Sequence, residues 1–577
     1  MKHLVGIPAS RGICIGPVFQ FVRQEIIIKE GKATDPASEL ARLDDAISAA
    51  KEQISSIHQR ALKEAGKAEA EIFLAHKMIL DDPEFISAVR SKITEEQATA
   101  EVAVQSTAKS FSDMMASMKD EYFAARAMDI LDVGNRVLRI LLGVAESPSS
   151  NLKEASVIVA DDLTPSDTIL LDKSLVKGFC TARGSSTSHT AILARGLGIP
   201  AVAGVGEEVL KVKNQTTIIL DGTMGEVFID PDEKFIHLYQ QHIKTAQTIH
   251  EEAMKHAHEP AVTQDGVKVE VSANIGDVQD ARSALNKGAE GVGLLRTEFL
   301  FLERNHLPSE EEQYEAYRAI LDVFGDLPVI LRTLDIGGDK EIPYMGLAAE
   351  PNSFLGQRAL RLCLVRPDIF KPQLRAALRA GLDRNLKIMF PMVAIAEEVR
   401  QARRVIDECI SELEEEGKPF TKNIEIGIMV EIPSAALMAD QLAGEVDFFS
   451  IGTNDLSQYT MAADRTNPKV AGLSDAFYPA VLRLVREVIV AAHAQGKWVG
   501  MCGELAGEPL AAPILLGLGL DEFSMSPPMV PLIKQILRGL NANEMKSLAE
   551  QALQLESPQQ IKELVKKRVP FIAELVG

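Results

Sequence analysis

Hydrophobic and polar positions divide the chain into three regimes. Over residues 1 to about 20, glycines at 6, 12 and 16 punctuate Val5, Ile7, Ile13, Ile15, Val18 and Phe19, a strand-like pattern. The period then changes. After Asp35-Pro36, a cap followed by a first-turn proline, Leu40, Leu43, Ile47, Ala50, Ile54, Ile57 and Ala61 recur at alternating spacings of three and four. That stripe predicts a long amphipathic helix packed against other helices. Further helices are predicted around Glu69 to Leu80, stopped by Asp82-Pro83, from about Thr99 to Met118, and from Glu121 to Leu142, stopped by Gly143. Residues 21–146 therefore read as an antiparallel helical bundle.

Strand pattern returns at Ser156–Ala160, Val176–Thr181, Ala201–Ala203, Thr216–Leu220 and Glu226–Ile229, with short helices between. With the start of the chain these make one small α/β domain, residues 1–20 plus 147–230, into which the bundle is inserted. Residues 231–260 are charged and helix-prone, with an apolar face limited to Ile236, Leu238 and Ile243, and predict a helical linker. From 261 to 577 the rhythm is regular. Strands are predicted at Val269–Ile275, Gly291–Thr297, Val329–Ile336, Leu386–Pro391, Ile424–Glu431, Asp447–Asp455, Trp498–Glu504 and Asp521–Ser526, with helical pattern between. Eight β/α units predict a closed parallel (β/α)8 barrel of the TIM type, an open doubly wound sheet being the alternative. The fold class is thus multidomain α/β.

Composition adds limits. The 577 residues hold 46% hydrophobic and 25% charged side chains, which suits several ordinary globular domains. A net charge of −21 argues against nucleic acid or an anionic membrane as the main partner. Five widely spaced cysteines form neither a metal nor a disulfide framework, which points to a reducing compartment. The N-terminus lacks the apolar core of a signal peptide and no run is long enough to span a bilayer, so the expectation is a cytoplasmic protein without membrane insertion.

Candidate chemistry gathers in two places. In the first α/β domain, Arg183-Gly-Ser-Ser-Thr-Ser-His-Thr190 lies between a strand and a helix, where amides and hydroxyls converge at a helix N-terminus that favours anions. A neutral imidazole there, His189, is a candidate phosphoryl acceptor; the plainer reading is a capped helix with a packed histidine. In a barrel, chemistry collects at the C-terminal strand ends. Those ends here carry Asn274, Arg296, Arg332, Asp335, Glu431, Asn454, Asp455, Cys502 and Glu504, and loops add Lys340, Arg358 and Arg465. Several cations on one rim imply a small polyanion. Glu431 and Asp455, on adjacent strands, can offer oxygens to one Mg²⁺. Cys502 is either a small buried hydrophobe or a proton donor to a carbanion or enolate.

Five stretches together closely resemble enzyme I of the bacterial phosphoenolpyruvate-dependent sugar phosphotransferase system: Gly291-Val-Gly-Leu-Leu-Arg-Thr-Glu-Phe-Leu-Phe301, Leu334-Asp-Ile-Gly-Gly-Asp-Lys340, Phe448-Phe-Ser-Ile-Gly-Thr-Asn-Asp-Leu456, Gly500-Met-Cys-Gly-Glu-Leu-Ala-Gly507 and Thr187-Ser-His-Thr-Ala-Ile192. The likeness spans essentially the whole chain. It implies a swivelling phosphohistidine domain, a bundle that docks the carrier protein HPr, and a barrel that binds phosphoenolpyruvate and forms a homodimer. By the resemblance, His189 accepts the phosphoryl group on Nε2 and Cys502 protonates the enolate to pyruvate. Glu431 and Asp455 hold Mg²⁺, and Arg296, Arg332, Asn454, Arg465, Arg358 and Lys340 bind substrate. With no sensory domain ahead of residue 1, the sugar branch is the expectation. Candidate HPr contacts are Glu69, Glu71, Met78, Leu80, Glu84 and Phe85. One departure stands out: Gly184-Ser185-Ser186 replaces the family's Gly-Gly-Arg before Thr-Ser-His, leaving Arg183 or Arg195 as substitutes. The stretch 472–479 also departs from the family's usual sequence. A pyruvate phosphate dikinase would need a nucleotide domain and phosphate loop for which the chain has no room. A regulatory phosphoprotein that only binds partners would not need the whole barrel set.

Overall fold

Branched aliphatic runs shape both halves of the molecule. The computed structural model describes residues 1–22, 28, 32–64, 67–117, 121–144, 152–163, 167–168, 171–184, 188–302, 304, 306–337, 343–347, 350, 352–465, 467 and 469–576. They fall into two compact units, Met1–Lys244 and Thr245–Gly577.

In the first unit, eight strands form one sheet: β1 (Lys2–Val5), β2 (Ile7–Ser10), β3 (Ile13–Gln20), β4 (Ser156–Ala160), β5 (Val176–Thr181), β6 (Ala201–Ala203), β7 (Thr217–Asp221) and β8 (Glu226–Ile229). Their spatial order is β1-β8-β7-β3-β4-β5-β6-β2. β3 runs antiparallel to β7 on one side and parallel to β4 on the other, so the first 20 residues complete a sheet made mostly from residues 156–229. Every residue of β4 is buried, because separate apolar clusters cover the two sheet faces.

Between β3 and β4 the chain leaves the sheet to form α1 (Pro36–Glu64), α2 (Lys67–Asp81), α3 (Pro83–Thr94), α4 (Ala100–Ser117) and α5 (Glu121–Leu142). Leu43, Ala50, Ile54 and Ile57 of the predicted stripe are buried in the bundle core with Phe73, Phe85, Val89 and Val133. The bundle has a helix more than the sequence pattern indicates. Asp82-Pro83 ends α2, but it also starts α3: the Asp82 carboxylate accepts from the Glu84 amide at 2.7 Å, and Pro83 occupies the first turn, where its missing N–H costs nothing. The linker prediction also needs amending. The Glu233–Lys255 helix has an aromatic contact face: Phe235 and Tyr239 pack on Phe228 of β8, with ring centroids 4.9 and 5.5 Å away.

In the second unit a short strand, β9 (Ala261–Val262), pairs antiparallel with β10 (Lys268–Ile275). Then β10, β11 (Val292–Leu295), β12 (Val329–Arg332), β13 (Leu386–Phe390), β14 (Glu425–Val430), β15 (Phe448–Ile451), β16 (Trp498–Met501) and β17 (Glu522–Met525) pair parallel in sequence. β17 returns to β10, which closes an eight-stranded barrel and excludes the open sheet. Leu294, Ile330, Met389, Met429, Phe448 and Cys502 fill its interior, while a larger apolar shell lies between strands and helices. The strands are shorter than the apolar runs that announced them. Asp335 and Cys502 follow the last paired residues of β12 and β16, and Asn454 and Asp455 lie in the first turn of the Thr453–Met461 helix. No helix among the described residues is long and apolar enough to cross a membrane.

Candidate active site

The C-terminal rim of the barrel brings together side chains from the ends of β11, β12, β14, β15 and β16 and the loops that follow them. Arg332, the last residue of β12, is buried. Its Nη2 donates to Glu298 Oε1 at 2.8 Å, and its Nη1 lies 3.2 Å from Asp335 Oδ2. Glu298 also accepts from the Asp335 amide at 3.2 Å, so one carboxylate sets both an arginine and the loop that follows it. Arg358 is buried as well. It grips Asp335 with Nη2 at 2.9 and 3.1 Å, and its Nη1 reaches Asp455 Oδ1 at 3.5 Å and Tyr459 Oη at 3.2 Å. Arg465 Nη1 approaches Asp455 Oδ2 at 3.5 Å from the more open side. Glu431, directly after β14, accepts from the Met392 amide at 2.6 Å. Asn454 Oδ1 accepts from the Glu504 amide at 3.0 Å, tying the β15 end to the β16 end beside Cys502.

Two glycines make this crowding possible. Gly337 has φ +112°, and a Cβ there would sit 2.5 Å from Arg358 Cβ. A Cβ on Gly503 would lie 2.0 Å from Thr453 Oγ1. Beneath them, Thr297 Oγ1 donates to the Arg332 carbonyl at 2.9 Å, and Gln373 accepts from the Leu334 amide at 2.8 Å.

The His189 loop is built in the first unit. Gly184 has φ +104°, and Ser188 caps the His189–Leu197 helix by accepting from the Ala191 amide at 3.4 Å. Residues 185–187 and the side chain of His189 lie outside the described residues. Both arginines considered as stand-ins are already engaged: Arg183 pairs with Asp161 at 3.1 Å, and Arg195 Nη1 donates to the Ala9 carbonyl at 2.9 Å.

Three family models and full-length relatives match the chain. The family described as PEP-utilising enzyme, PEP-binding domain, matches residues 250–542, the mobile domain of such enzymes matches 152–225, and their N-terminal domain matches 5–126. The phosphoenolpyruvate-protein phosphotransferase of Geobacillus stearothermophilus is 48% identical over 566 residues, covering 98% of each chain. That of Bacillus subtilis (strain 168) is 46% identical over 98% of this chain and 100% of its own. The chain belongs to the phosphoenolpyruvate-protein phosphotransferase family. An NMR solution structure of Enzyme I (nEIt) shares 42% identity over 42% of this chain, at a TM-score of 0.38.

For a phosphotransferase, the electrostatics of the rim matter more than its shape. Burial opposes the charges of Arg332 and Arg358, yet the carboxylates beside them outweigh it and hold both pKa values above the usual arginine range. Burial, then Asp455 and Asp335, pushes the Glu431 carboxyl well above normal, against the pull of Arg332 and Arg358. Burial lifts the Cys502 thiol to about 11, so at neutral pH it carries its proton. Four carboxyl groups (Glu298, Asp335, Glu431, Asp455) face three guanidiniums (Arg332, Arg358, Arg465), and Glu431 is the one that burial and its neighbours make hard to ionise. A divalent cation beside Glu431 and Asp455 would favour the ionised Glu431 and, with the guanidiniums, an anionic substrate. Glu431 and Asp455 are hard oxygen donors that fit such an ion, with other positions left to water or substrate. Among the described residues no group of three or more His, Cys, Asp or Glu side chains could hold a metal, so the pair would bind it only with outside oxygens.

The structure gathers Arg332, Arg358, Glu431, Asn454, Asp455, Arg465 and Cys502 at one rim. Arg296 directly follows β11 but is exposed and stands apart from the buried ion-pair network, and Lys340 lies outside the described residues. Glu298 and Tyr459 escaped the sequence reading. Glu298 lies within the quoted stretch 291–301 and Tyr459 just beyond the stretch 448–456, but only the fold shows that they seat Arg332 and Arg358. Of the docking candidates, Leu80 and Phe85 are buried in the bundle core and cannot offer contacts, whereas Met78 is 71% exposed and Glu84 is exposed. The side chains of Glu69 and Glu71 lie outside the described residues. Phe85 lies on α3, a helix the sequence pattern does not predict, and Leu80 near the end of α2; both side chains face the bundle core.

Proposed function

We propose that this enzyme transfers the phosphoryl group of phosphoenolpyruvate to Nε2 of its own His189 and then to a histidine of the carrier protein HPr, releasing pyruvate. This would be the first step of sugar uptake by the phosphotransferase system. The observation that carries the reading is the buried set of arginines and carboxylates at the barrel rim. Arg332, Arg358 and Arg465, joined by Arg296, Asn454 and Lys340, orient the substrate phosphate and carboxylate and offset their charge. Mg²⁺ on Glu431 and Asp455 would draw charge from the phosphate oxygens when bound. In the transfer, the bridging P–O bond breaks, an N–P bond forms at His189, and the electron pair passes to the enolate. Cys502 then gives its proton to the enolate methylene carbon. The rim therefore works mainly by positioning and charge.

His189 belongs to the first compact unit and the rim to the second, and one short loop cannot serve both the barrel and HPr at once. Movement of the first α/β domain between the two, HPr docking on the bundle, a homodimer through the barrel and a cytoplasmic location complete the proposal. The test is incubation of pure protein with Mg²⁺ and labelled phosphoenolpyruvate, followed by mapping of the labelled peptide. Acid-labile label on His189, absent from His189→Ala and chased off by HPr, is expected. Label elsewhere overturns the acceptor. Tight binding with no label would instead favour a partner-binding phosphoprotein disabled by Ser185-Ser186.

A further inference from the structure

Each turnover of the proposed reaction removes one proton from Cys502, and that proton has to be replaced. The barrel interior beneath the rim bears on how. Strand residues two apart face the same side, so Cys502 shares its face with Gly500, and Glu522 shares its face with Ser524. Strand register sets Ser450 of β15 beside Gly500 of β16, Gly500 beside Glu522 of β17, and Glu522 beside Glu270 of β10. Gly500 and Gly293 leave the space that the Glu522 carboxyl fills: a Cβ at either would lie 2.2 or 2.5 Å from its oxygens.

Polar groups continue in both directions from this layer. Upward, the Ser450 hydroxyl faces the Cys502 thiol closely enough to favour its ionised form. Asn274 donates to the Cys502 carbonyl at 2.9 Å and accepts from Ser524 Oγ at 2.7 Å. Downward, Ser272 faces Glu522 in the same way, and Glu270, half-buried, is influenced by Glu290, Lys387 and Lys268 near the N-terminal mouth. Ser450 Oγ, Ser272 Oγ and Glu522 Oε2 are all buried without a formed hydrogen bond. Such atoms are costly in a core and are ordinarily satisfied by protein or water. Here three of them lie on one side of one barrel, between the proton donor and solvent. Burial, then Glu270, lifts Glu522 to about 8, while Ser272 and Lys387 act the other way, so the acid both holds and releases a proton near neutral pH.

We propose that Ser450, Glu522, Ser272 and Glu270 form a proton relay that recharges Cys502 from the N-terminal mouth of the barrel. When Cys502 has given its proton to the enolate carbon, its thiolate takes one from the Ser450 hydroxyl as Ser450 takes one from Glu522. Glu522 is refilled through Ser272 from Glu270, and Glu270 from water. One solvent proton enters for each pyruvate released, and no electrons are exchanged with another reagent. Entry from below keeps the proton path apart from the rim residues that hold the substrate in the proposed reaction.

The inference rests on the proposed reaction, and the test separates the two. The full-length protein is incubated in deuterium oxide with Mg²⁺, phosphoenolpyruvate and carbon-labelled pyruvate. Carbon exchange between the two needs no solvent proton, because Cys502 can return the one it took; deuterium entry into the pyruvate methyl group needs the relay. In Glu522→Gln and in Ser450→Ala the ratio of deuterium entry to carbon exchange is expected to fall by on the order of tenfold to a hundredfold. A purely structural role would move both rates together and leave the ratio unchanged. An unchanged ratio in either folded variant overturns the relay, and Ser450→Ala, which removes one oxygen, serves if Glu522→Gln does not fold. Absence of carbon exchange in the parent enzyme would defeat the proposed reaction itself.

Discussion

Cys502 shows how much a single residue owes to its setting. In sequence it is one of five scattered cysteines; in the fold it is buried at the end of β16, inside the barrel, with its thiol lifted to about 11. A thiol held protonated suits a proton donor and is a poor nucleophile. Cys502→Ala is expected to lower pyruvate release by on the order of a hundredfold or more with near-normal phosphoenolpyruvate binding. Steady-state kinetics beside a binding titration would check it, and unchanged turnover would remove the role. The sequence pointed to Cys502 because a thiol among charged strand ends is unusual. It was silent on Glu298, whose carboxylate matters only because β11 and β12 are neighbours.

At the scale of elements, the hydrophobic period located almost every helix and strand, but capping and close approach settled their ends. α3 was missed because Asp82-Pro83 stops one helix and begins the next. The strand ends were overrun because apolar residues continue past the last paired backbone group into loops that stay buried. Gly503 illustrates what pattern does not show: its missing side chain lets the loop after β16 touch Thr453, at the start of the helix that carries Asp455. Gly503→Ala should push that helix away and shift Asp455. Turnover is expected to fall by more than roughly tenfold, since misplacing a catalytic group by about 1 Å costs up to a hundredfold. Melting temperature measured alongside would separate displacement from unfolding, and full activity would show that the contact yields.

Across the whole molecule, closure of the barrel creates an interior that no single strand describes. Glu522 is one of its costs. Its carboxyl binds a proton more tightly folded than unfolded, because burial raises it from 4.5 to about 8. Between those values the folded state holds a proton that the unfolded state has lost. Glu522 therefore makes the barrel progressively less stable as pH rises from about 4.5 to about 8, by up to roughly 1.4 kcal/mol per pH unit, and has no further effect above that. Glu522→Gln should flatten that part of the stability profile and gain on the parent at pH 8 relative to pH 5. Thermal unfolding at the two pH values is the measurement, and parallel profiles would mean that Glu522 ionises freely in the barrel.

Sequence alone determined the fold class, because the period of apolar residues is set by backbone geometry and survives without knowledge of neighbours. It also fixed the list of chemically capable side chains, since arginines, paired carboxylates and a lone thiol at strand ends are readable one by one. Only the tertiary structure decided which of them meet. Arg332, Arg358, Glu431 and Asp455 are spread over more than one hundred residues of sequence, and parallel closure places their strand ends on one rim. Burial did the rest: by removing water it turned Cys502 into a retained acid, gave the Glu298 and Asp335 carboxylates their hold on the arginines, and left Glu522 able to carry a proton inside a core.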